Sequence, residues 1–257
     1  MVIGIHRTEA IGDIIMLSGV IKHFKSKGYR VLFSSKYKNI NWSNFLEVDY
    51  YTDDKGLVQQ ASDEFYDFDM CYEAMPSVPA WEAYSLMVGI PVAKPDKKEF
   101  VSIELSDVKD SIVIHAGVSN DARTLPRKVW DEVVKGLGGY KVICIGKGVD
   151  YQLDVPCYFK ESLMGIRDII DNARLFVGMD SGLMHVAQCT NTTVVGIFNI
   201  ARPSNRLWRE NCHAIVPDCD CQFCLERAVT NYVKCPELKC IDNLYSDKIL
   251  NKIKGVL

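Results

Sequence analysis

The chain has 257 residues, enough for two domains of ordinary size, and 48% of them are hydrophobic and 25% charged. This composition is typical of a globular protein with a sizeable core, and it excludes extensive disorder. The formal net charge is −3 and the basic residues are scattered, so the chain lacks the electrostatic character of a general nucleic-acid binder.

The first elements in chain order predict a parallel sheet. Residues 2–6 form a short apolar run that indicates a strand, and a helical pattern follows over residues 13–27. Residues 31–33 indicate the next strand, and the resulting βαβ unit implies that the two strands are parallel. Weaker signals predict short strands at residues 48–51 and 70–72 and a helix over residues 81–88.

A second series of strands and helices begins after a polar, lysine-rich stretch at residues 95–99. We interpret this stretch as the start of a linker reaching about residue 109, between an N-terminal domain at 1–105 and a C-terminal domain at 106–257. The regular alternation in the second half predicts a doubly wound α/β sheet with helices on both faces. Its predicted strands lie at residues 112–114, 141–145, 175–177 and 193–198, and its predicted helices at 127–137, 163–172 and 182–189.

The expected compartment is the cytoplasm. No segment is apolar over the length that a transmembrane helix needs. The N-terminal apolar run is too short for a signal peptide and has no basic start. The chain has ten cysteines, and six of them lie within residues 212–240. In a reducing compartment such crowding indicates metal binding before disulfides.

The most informative stretch of the second half is a strand, a tight polar turn and a helix in direct succession. The free N–H groups and partial positive charge of the helix N-terminus suit a diphosphate bound at Ser181, Gly182 and Leu183. Gly182 would let such a ligand approach closely. The simpler alternative is that Asp180 or Ser181 only caps the helix and that His185 is a core residue with a hydrogen-bond partner.

The segment from Asp180 to His185 resembles the signature of glycosyltransferase family 9, whose best-known members transfer heptose from ADP-heptose to lipopolysaccharide. The resemblance implies a GT-B fold, with two Rossmann-like domains facing a cleft and the sugar-nucleotide donor bound mainly by the C-terminal half. Further segments match in the family's order: residues 11–15, residues 113–117 followed by Arg123, Pro126 and Trp130, and the cysteine stretch from Cys221 to Ile241.

Asp13 takes the place of the family's proposed catalytic base in this resemblance. An inverting sugar transfer needs a carboxylate that accepts the proton of the acceptor hydroxyl while the sugar carbon is attacked. The alternative is that Asp13 only caps the helix after Gly12. The resemblance favours the base.

Two basic residues are candidates for binding the donor. Arg123 lies where the family usually has a lysine near the diphosphate, and an arginine can bind two phosphate oxygens at once. Arg127 or Lys128 could serve instead. The alternative for Arg123 is a solvated loop charge. Lys147 and Gly148 follow a predicted strand, in a segment that could shape the nucleotide pocket or be merely a turn. No Asp-x-Asp pair lies in a setting typical of a catalytic metal, so no divalent ion is expected to be needed for the chemistry.

The cysteine stretch has the spacing of a metal site. Cys221 and Cys224 form a common half-site, and Cys235 and Cys240 could complete four thiolates. Such a set fits zinc or iron. Its role would be structural, because four protein ligands leave no open coordination position. Reduced thiols in a loop are the alternative.

The predicted function is inverting transfer of heptose or a related sugar from ADP-heptose or another nucleotide-diphosphate sugar to a glycan, lipid-linked or protein acceptor. The N-terminal half, which binds the acceptor in the family, is shorter than usual, so a lipopolysaccharide acceptor does not follow from the resemblance. One alternative is a sugar-nucleotide epimerase or hydrolase, which would need additional acid and base groups. Another is a non-catalytic protein that binds nucleotide and metal, against which intact Asp13 and His185 argue.

Overall fold

A computed structural model describes residues 1–117, 121–147, 151–221, 223–227 and 237–257. Over these residues the chain divides into two compact units, Met1–Phe100 and Val101–Leu257. Residues 92–105 are neither helix nor strand. The glycine at position 148 and Cys235, both named in the sequence analysis, lie outside the described residues. No described helix has the length and apolarity required to cross a membrane.

Unit 1 contains a parallel sheet whose strands, among the described residues, follow the order β3-β2-β1-β4. The central strand β1 is almost wholly buried, as expected from its continuous apolar sequence. The elements of this unit are β1 (Val2–His6), α1 (Ile11–Met16), α2 (Ser18–Ser26), β2 (Arg30–Ser34), a 3₁₀ turn (Trp42–Asn44), β3 (Tyr50–Thr52), α3 (Lys55–Gln60), β4 (Glu64–Asp67) and α4 (Ala80–Met87).

The helix predicted over residues 13–27 is in fact two helices that meet at Leu17. The Leu17 N–H bonds to the carbonyl of Ile14, three residues back, so the turn tightens there. Residues 93–96, near the end of unit 1, pack against the start of α2. The N–H of Asp96 donates to the Ser18 hydroxyl at 3.0 Å, and Gly19 lies against the backbone carbonyls of Ala93 and Lys94.

The prediction of a strand at residues 70–72 is wrong. Met70 has a φ of 57°, in the left-handed region that a β-strand does not use, and residues 69–75 form turns. The strand of this region is β4, whose sequence Glu-Phe-Tyr-Asp is too acidic to have indicated one.

Unit 2 contains a parallel sheet with the described strand order β10-β9-β8-β5-β6-β7. The order reverses direction between β8 and β5, which is where open α/β sheets form their ligand crevice. Its strands are β5 (Ile112–His115), β6 (Val142–Ile145), β7 (Cys157–Tyr158), β8 (Leu175–Met179), β9 (Thr193–Ile197) and β10 (Cys212–Ile215). Its helices are α5 (Arg127–Gly136), α6 (Leu163–Asp171), α7 (Gly182–Gln188), α8 (Lys239–Asp242) and α9 (Ser246–Lys254), with 3₁₀ turns at Asp121–Arg123, Pro203–Asn205 and Cys224–Arg227.

The core of unit 2 explains why its strands were predictable. Strand β8 is buried along its whole length between β5 and β9, so every position selects an apolar or small residue. The helices α5 and α9 pack together on the sheet and bury Trp130, Ile249 and Ile253. The predicted doubly wound parallel architecture is thereby confirmed, and the two sheets share no strand among the described residues.

Candidate functional site

The turn between β8 and α7 lies at the reversal of strand order in unit 2. Ser181 is extended, with φ −152° and ψ 169°, and its hydroxyl caps α7 by accepting from the N–H of Met184 at 3.5 Å. The same hydroxyl lies 3.1 Å from Nδ1 of His115, at the end of β5. Ser181, Gly182 and Leu183 are half-buried, whereas the following residues of α7 are buried.

Asp180 gathers two arginines at this turn. The Arg123 guanidinium donates to the Asp180 carbonyl at 2.8 Å and lies 3.5 Å from its carboxylate. Nε of Arg206 lies 4.0 Å from the same carboxylate. Asp180 and Arg206 are buried, and Arg123 is about three-quarters buried, with 25% of its side chain exposed. The structure therefore collects positive charge where β8 ends.

His185 lies one turn into α7 and is stacked on Trp208. The two rings are 5.4 Å apart and inclined by 9°, and Nε2 of His185 is 4.0 Å from the Asp180 carboxylate. Burial lowers the pKa of His185 to about 4. The Asp180 carboxylate acts to raise this pKa, and the positive charges of Arg206 and Arg123 offset part of its effect. His185 is therefore neutral near pH 7. Its Nδ1 is buried and has no hydrogen-bond partner in the described structure.

The predicted donor residues are thus brought together with one exception. Arg123, Asp180, Ser181, Gly182, Leu183 and His185 all lie at the β8–α7 turn. Lys147 is exposed after β6, which stands two strands from β8 in the sheet. Since neighbouring strands are about 4.8 Å apart, the end of β6 is about 10 Å away from the end of β8.

Asp13 lies in the first turn of α1 in unit 1, just beyond the carboxyl end of β1. The N-cap position is occupied by Ala10, and Asp13 is the third residue of the helix, so Asp13 is not its N-cap residue. Oδ2 of Asp13 accepts from Nη2 of Arg7 at 2.8 Å and from the Tyr72 hydroxyl at 3.1 Å. The carboxylate is therefore engaged by the side chains of Arg7 and Tyr72.

The cysteine segment is attached through backbone hydrogen bonds to the loop that follows β9. The N–H of Phe223 donates to Asn199 and that of Leu225 to Ile200, each at 2.8 Å. Asn199 is buried, and its amide donates to the Ala122 carbonyl and lies 3.4 Å from Sγ of Cys240. These contacts bring the region of Cys224 and Cys240 to the end of β9. Cys221 is exposed, Cys224 half-buried and Cys240 buried.

A second cluster of potential metal ligands lies at the end of β1. Ligand atoms of His6, Asp67 and Asp69 lie within 4.8 Å of one another. The Asp67 carboxylate, however, pairs with the Lys55 ammonium, and Asp69 accepts from the backbone and hydroxyl of Thr8. Lys55 thus supplies the positive charge that a metal ion would bring.

Several residues at both sites were not foreseen from the sequence. Those at the β8–α7 turn are His115, Arg206 and Trp208, and those around Asp13 are Arg7, Tyr72 and Glu73. For two of these residues the sequence did contain a signal. Arg7 and His115 stand at the carboxyl ends of buried strands, where a doubly wound sheet binds its ligands. The others are distant in sequence and come together only through the fold.

Residues 158–232 match the model of glycosyltransferase family 9 (heptosyltransferase), and this segment contains the whole β8–α7 turn. No curated protein sequence matches the chain. The fold is similar to that of TibC from enterotoxigenic E. coli H10407, an iron-containing dodecameric glycosyltransferase, with a TM-score of 0.83 and 15% identity over 99% of this chain and 78% of TibC.

Two further solved structures have the same fold. TibC in complex with ADP-D-beta-D-heptose gives a TM-score of 0.81 and 15% identity over 99% of this chain and 76% of that protein. The E. coli ADP-heptose lps heptosyltransferase II gives a TM-score of 0.70 and 14% identity over 100% of this chain and 98% of the enzyme. The family resemblance predicted from the sequence is confirmed: residues 158–232 match the family 9 model, and the fold is similar to that of solved heptosyltransferases.

Proposed function

We propose that this protein transfers heptose or a related sugar, with inversion, from ADP-heptose or another nucleoside-diphosphate sugar to a hydroxyl of a glycan, lipid-linked or protein acceptor. The observation that carries the proposal is the arrangement at the β8–α7 turn. The family segment there coincides with a half-buried backbone turn and two arginines that converge on Asp180.

In the proposed donor site the diphosphate lies at Ser181, Gly182 and Leu183. Arg123 and Arg206 supply positive charge beside the turn, which favours the negative charge that develops on the departing nucleoside diphosphate. Arginine suits this role because its planar guanidinium can donate two hydrogen bonds to phosphate oxygens. With these cations present, the proposed reaction needs no divalent ion. TibC, which has the same fold, binds ADP-D-beta-D-heptose.

Asp13 is the proposed general base. It takes the proton of the acceptor hydroxyl as the hydroxyl oxygen bonds to the anomeric carbon. The bond from that carbon to the diphosphate oxygen breaks, and the nucleoside diphosphate leaves with the electron pair. The position and contacts of Asp13 support this role over that of the N-cap, because Ala10 occupies the N-cap position and the Asp13 carboxylate bonds to Arg7 and Tyr72.

The proposed structural metal is held by Cys221, Cys224, Cys235 and Cys240. Thiolate ligands suit zinc or iron, and TibC is iron-containing. In the described residues, Asn199 connects the Cys240 sulfur to the Ala122 carbonyl, next to Arg123. The metal would therefore brace the loop that carries Arg123, and it takes no part in the chemistry.

The decisive experiment is incubation of the protein with a panel of sugar nucleotides, with and without acceptor extracts. We expect a sugar to appear on an acceptor only when both are present. Turnover without an acceptor would indicate an epimerase or hydrolase, and binding without any turnover would indicate a non-catalytic protein.

Asp13→Asn tests the base. The variant keeps the size of the side chain but cannot accept the proton, so we expect the transfer rate to fall by about a hundred- to ten-thousand-fold. Donor affinity, measured by calorimetric titration, should stay at the wild-type value because the proposed donor residues lie in unit 2. Near-wild-type transfer by Asp13→Asn would show that the base lies elsewhere.

A further inference from the structure

The carboxylate of Asp13 is held by two donors that converge on one oxygen. Nη2 of Arg7 and the hydroxyl of Tyr72 both donate to Oδ2, at 2.8 and 3.1 Å. The Tyr72 ring also lies against the guanidinium, with its centroid 5.3 Å from the central carbon. Arg7, Asp13 and Tyr72 are all buried, so water screens these contacts little.

Arg7 is also held by the Glu73 carboxylate and by the backbone carbonyl of Phe68. Nη2 also donates to Oε1 of Glu73 at 2.6 Å, and Nη1 donates to the Phe68 carbonyl at 2.7 Å. Arg7 directly follows β1, which leaves its backbone little freedom. Since the guanidinium is a rigid plane with donors in fixed directions, fixing Arg7 also fixes the direction from which Asp13 is held.

Burial of the charged cluster of Arg7, Asp13 and Glu73 carries a desolvation cost for the fold. One cation is shared by two carboxylates, all three groups are buried, and desolvation of such charges often outweighs their attraction. Burial alone lowers the pKa of Arg7, but Tyr84, Asp13 and Glu73 outweigh it and raise the pKa well above its ordinary value. Arg7 is therefore cationic at every pH in which the protein would be assayed.

We propose that Arg7 and Tyr72 are positioning residues for the general base, and that Glu73 fixes Arg7 for this purpose. The inference rests on the proposed function, in which Asp13 is the base. Two donors converge on Oδ2 and hold the carboxylate in one orientation toward the acceptor hydroxyl, whose proton it takes.

The arrangement predicts opposite effects of two substitutions on the pH dependence of transfer. Among the described residues, the groups around Asp13 include Arg7, Tyr72, Glu73 and Tyr84, and burial raises the pKa of Tyr84 well above its ordinary value, so it stays neutral. Removal of the Tyr72 hydroxyl takes a donor from the ionised carboxylate, which shifts the acidic limb of the rate profile to higher pH. Removal of the Glu73 charge takes away a negative charge that competes with Asp13 for Arg7, which shifts that limb to lower pH.

The test compares Tyr72→Phe, Glu73→Gln and Arg7→Lys in the transfer assay. We expect Tyr72→Phe and Arg7→Lys to lower kcat about tenfold, the loss that one hydrogen bond to a charged group represents. The KM and affinity for the donor should not change. The acidic limb should move by about one pH unit, upward for Tyr72→Phe and downward for Glu73→Gln.

The chain offers a matched control in the same unit. The Tyr66 hydroxyl donates to the Glu64 carboxylate at 2.6 Å, and Glu64 is exposed. Tyr66→Phe and Glu64→Gln remove the same chemical groups from a pair outside the cluster of Arg7, Asp13, Tyr72 and Glu73, so kcat and the pH profile should match the wild type. Thermal unfolding of each variant separates a lost fold from lost positioning.

The outcomes are distinct. If Tyr72→Phe and Arg7→Lys are folded and retain the wild-type kcat and pH profile while Asp13→Asn is inactive, the positioning roles are overturned and the base stands. Shifts of the acidic limb in the same direction for Tyr72→Phe and Glu73→Gln would also overturn them. An active Asp13→Asn overturns both this inference and the proposed function.

Discussion

At the scale of single residues, His185 combines burial with a titratable ring. Only 3% of the residue is exposed, and its folded pKa of about 4 lies below the ordinary value of 6.5. Above pH 6.5 the ring is neutral in both the folded and unfolded chain. Between pH 6.5 and pH 4 the unfolded chain takes up the proton and the folded one does not. The contribution of His185 to stability is therefore present above pH 6.5 and is lost as the pH falls towards 4.

We accordingly expect the free energy of unfolding to fall by about 2 kcal/mol more in the wild type than in His185→Asn between pH 7 and pH 5, at 1.36 kcal/mol per pH unit. Urea unfolding at the two pH values measures this difference. The half-exposed His213, whose pKa is also lowered by burial, supplies the control variant His213→Asn. An equal pH dependence in His185→Asn and wild type would contradict the burial of a neutral ring.

At the scale of elements, the start of α2 depends on a close approach of backbone. A Cβ added to Gly19 would lie 2.3 Å from the carbonyl oxygens of Ala93 and Lys94, and backbone atoms there cannot simply rotate away. We expect Gly19→Ala to lower the free energy of unfolding by about 1–3 kcal/mol, the usual cost of overpacking. Denaturant unfolding followed by circular dichroism measures it.

Gly56→Ala is the matched control, because Gly56 also lies in a helix of unit 1. Its added Cβ would meet only the Asp54 carboxylate, at 3.3 Å, which requires a shift of only a few tenths of an ångström. Alanine is also favoured over glycine in helices. A Gly19→Ala protein as stable as Gly56→Ala would show that the segment at residues 93–96 gives way without cost.

The cysteine segment is the second element that permits a direct test. If its four thiolates hold one metal, the purified protein should contain about one equivalent of zinc or iron by elemental analysis. Cys240→Ser should lose most of it, since Cys240 is the buried member among the described cysteines of the set. Cys71→Ser, in unit 1, should keep it. Protein purified without chelators and free of metal would leave only reduced thiols at this place.

At the scale of the whole molecule, the predictable part was the pair of parallel sheets. Buried central strands such as β1, β5 and β8 are apolar or small at every position except the histidines that end β1 and β5, and this continuous apolar pattern can be recognised in the sequence. The short edge strands β7 and β10 are half-buried and carry a weaker signal. The helix α9 was missed although Ile249, Leu250 and Ile253 follow a helical spacing.

The environment of the candidate site was less predictable than its motif. The signature from Asp180 to His185 is contiguous, so a local pattern can be recognised. Arg7 and Glu73 are 66 residues apart and meet only because β1 and β4 are neighbours in the sheet. The sequence predicts Tyr72 as part of a strand, whereas in the structure its aromatic side chain is buried against the guanidinium of Arg7. Tertiary contacts of this kind leave no local pattern.

The stack of His185 and Trp208 has an optical consequence. The chain has four tryptophans, of which Trp42, Trp81 and Trp130 are deeply buried and Trp208 is half-buried beside the β8–α7 turn. Indole emission depends on the polarity of its surroundings and on the charge of a stacked ring. Trp208 is thus a natural fluorophore placed at the signature segment, and the protein carries its own spectroscopic probe of ligand occupancy without any added label.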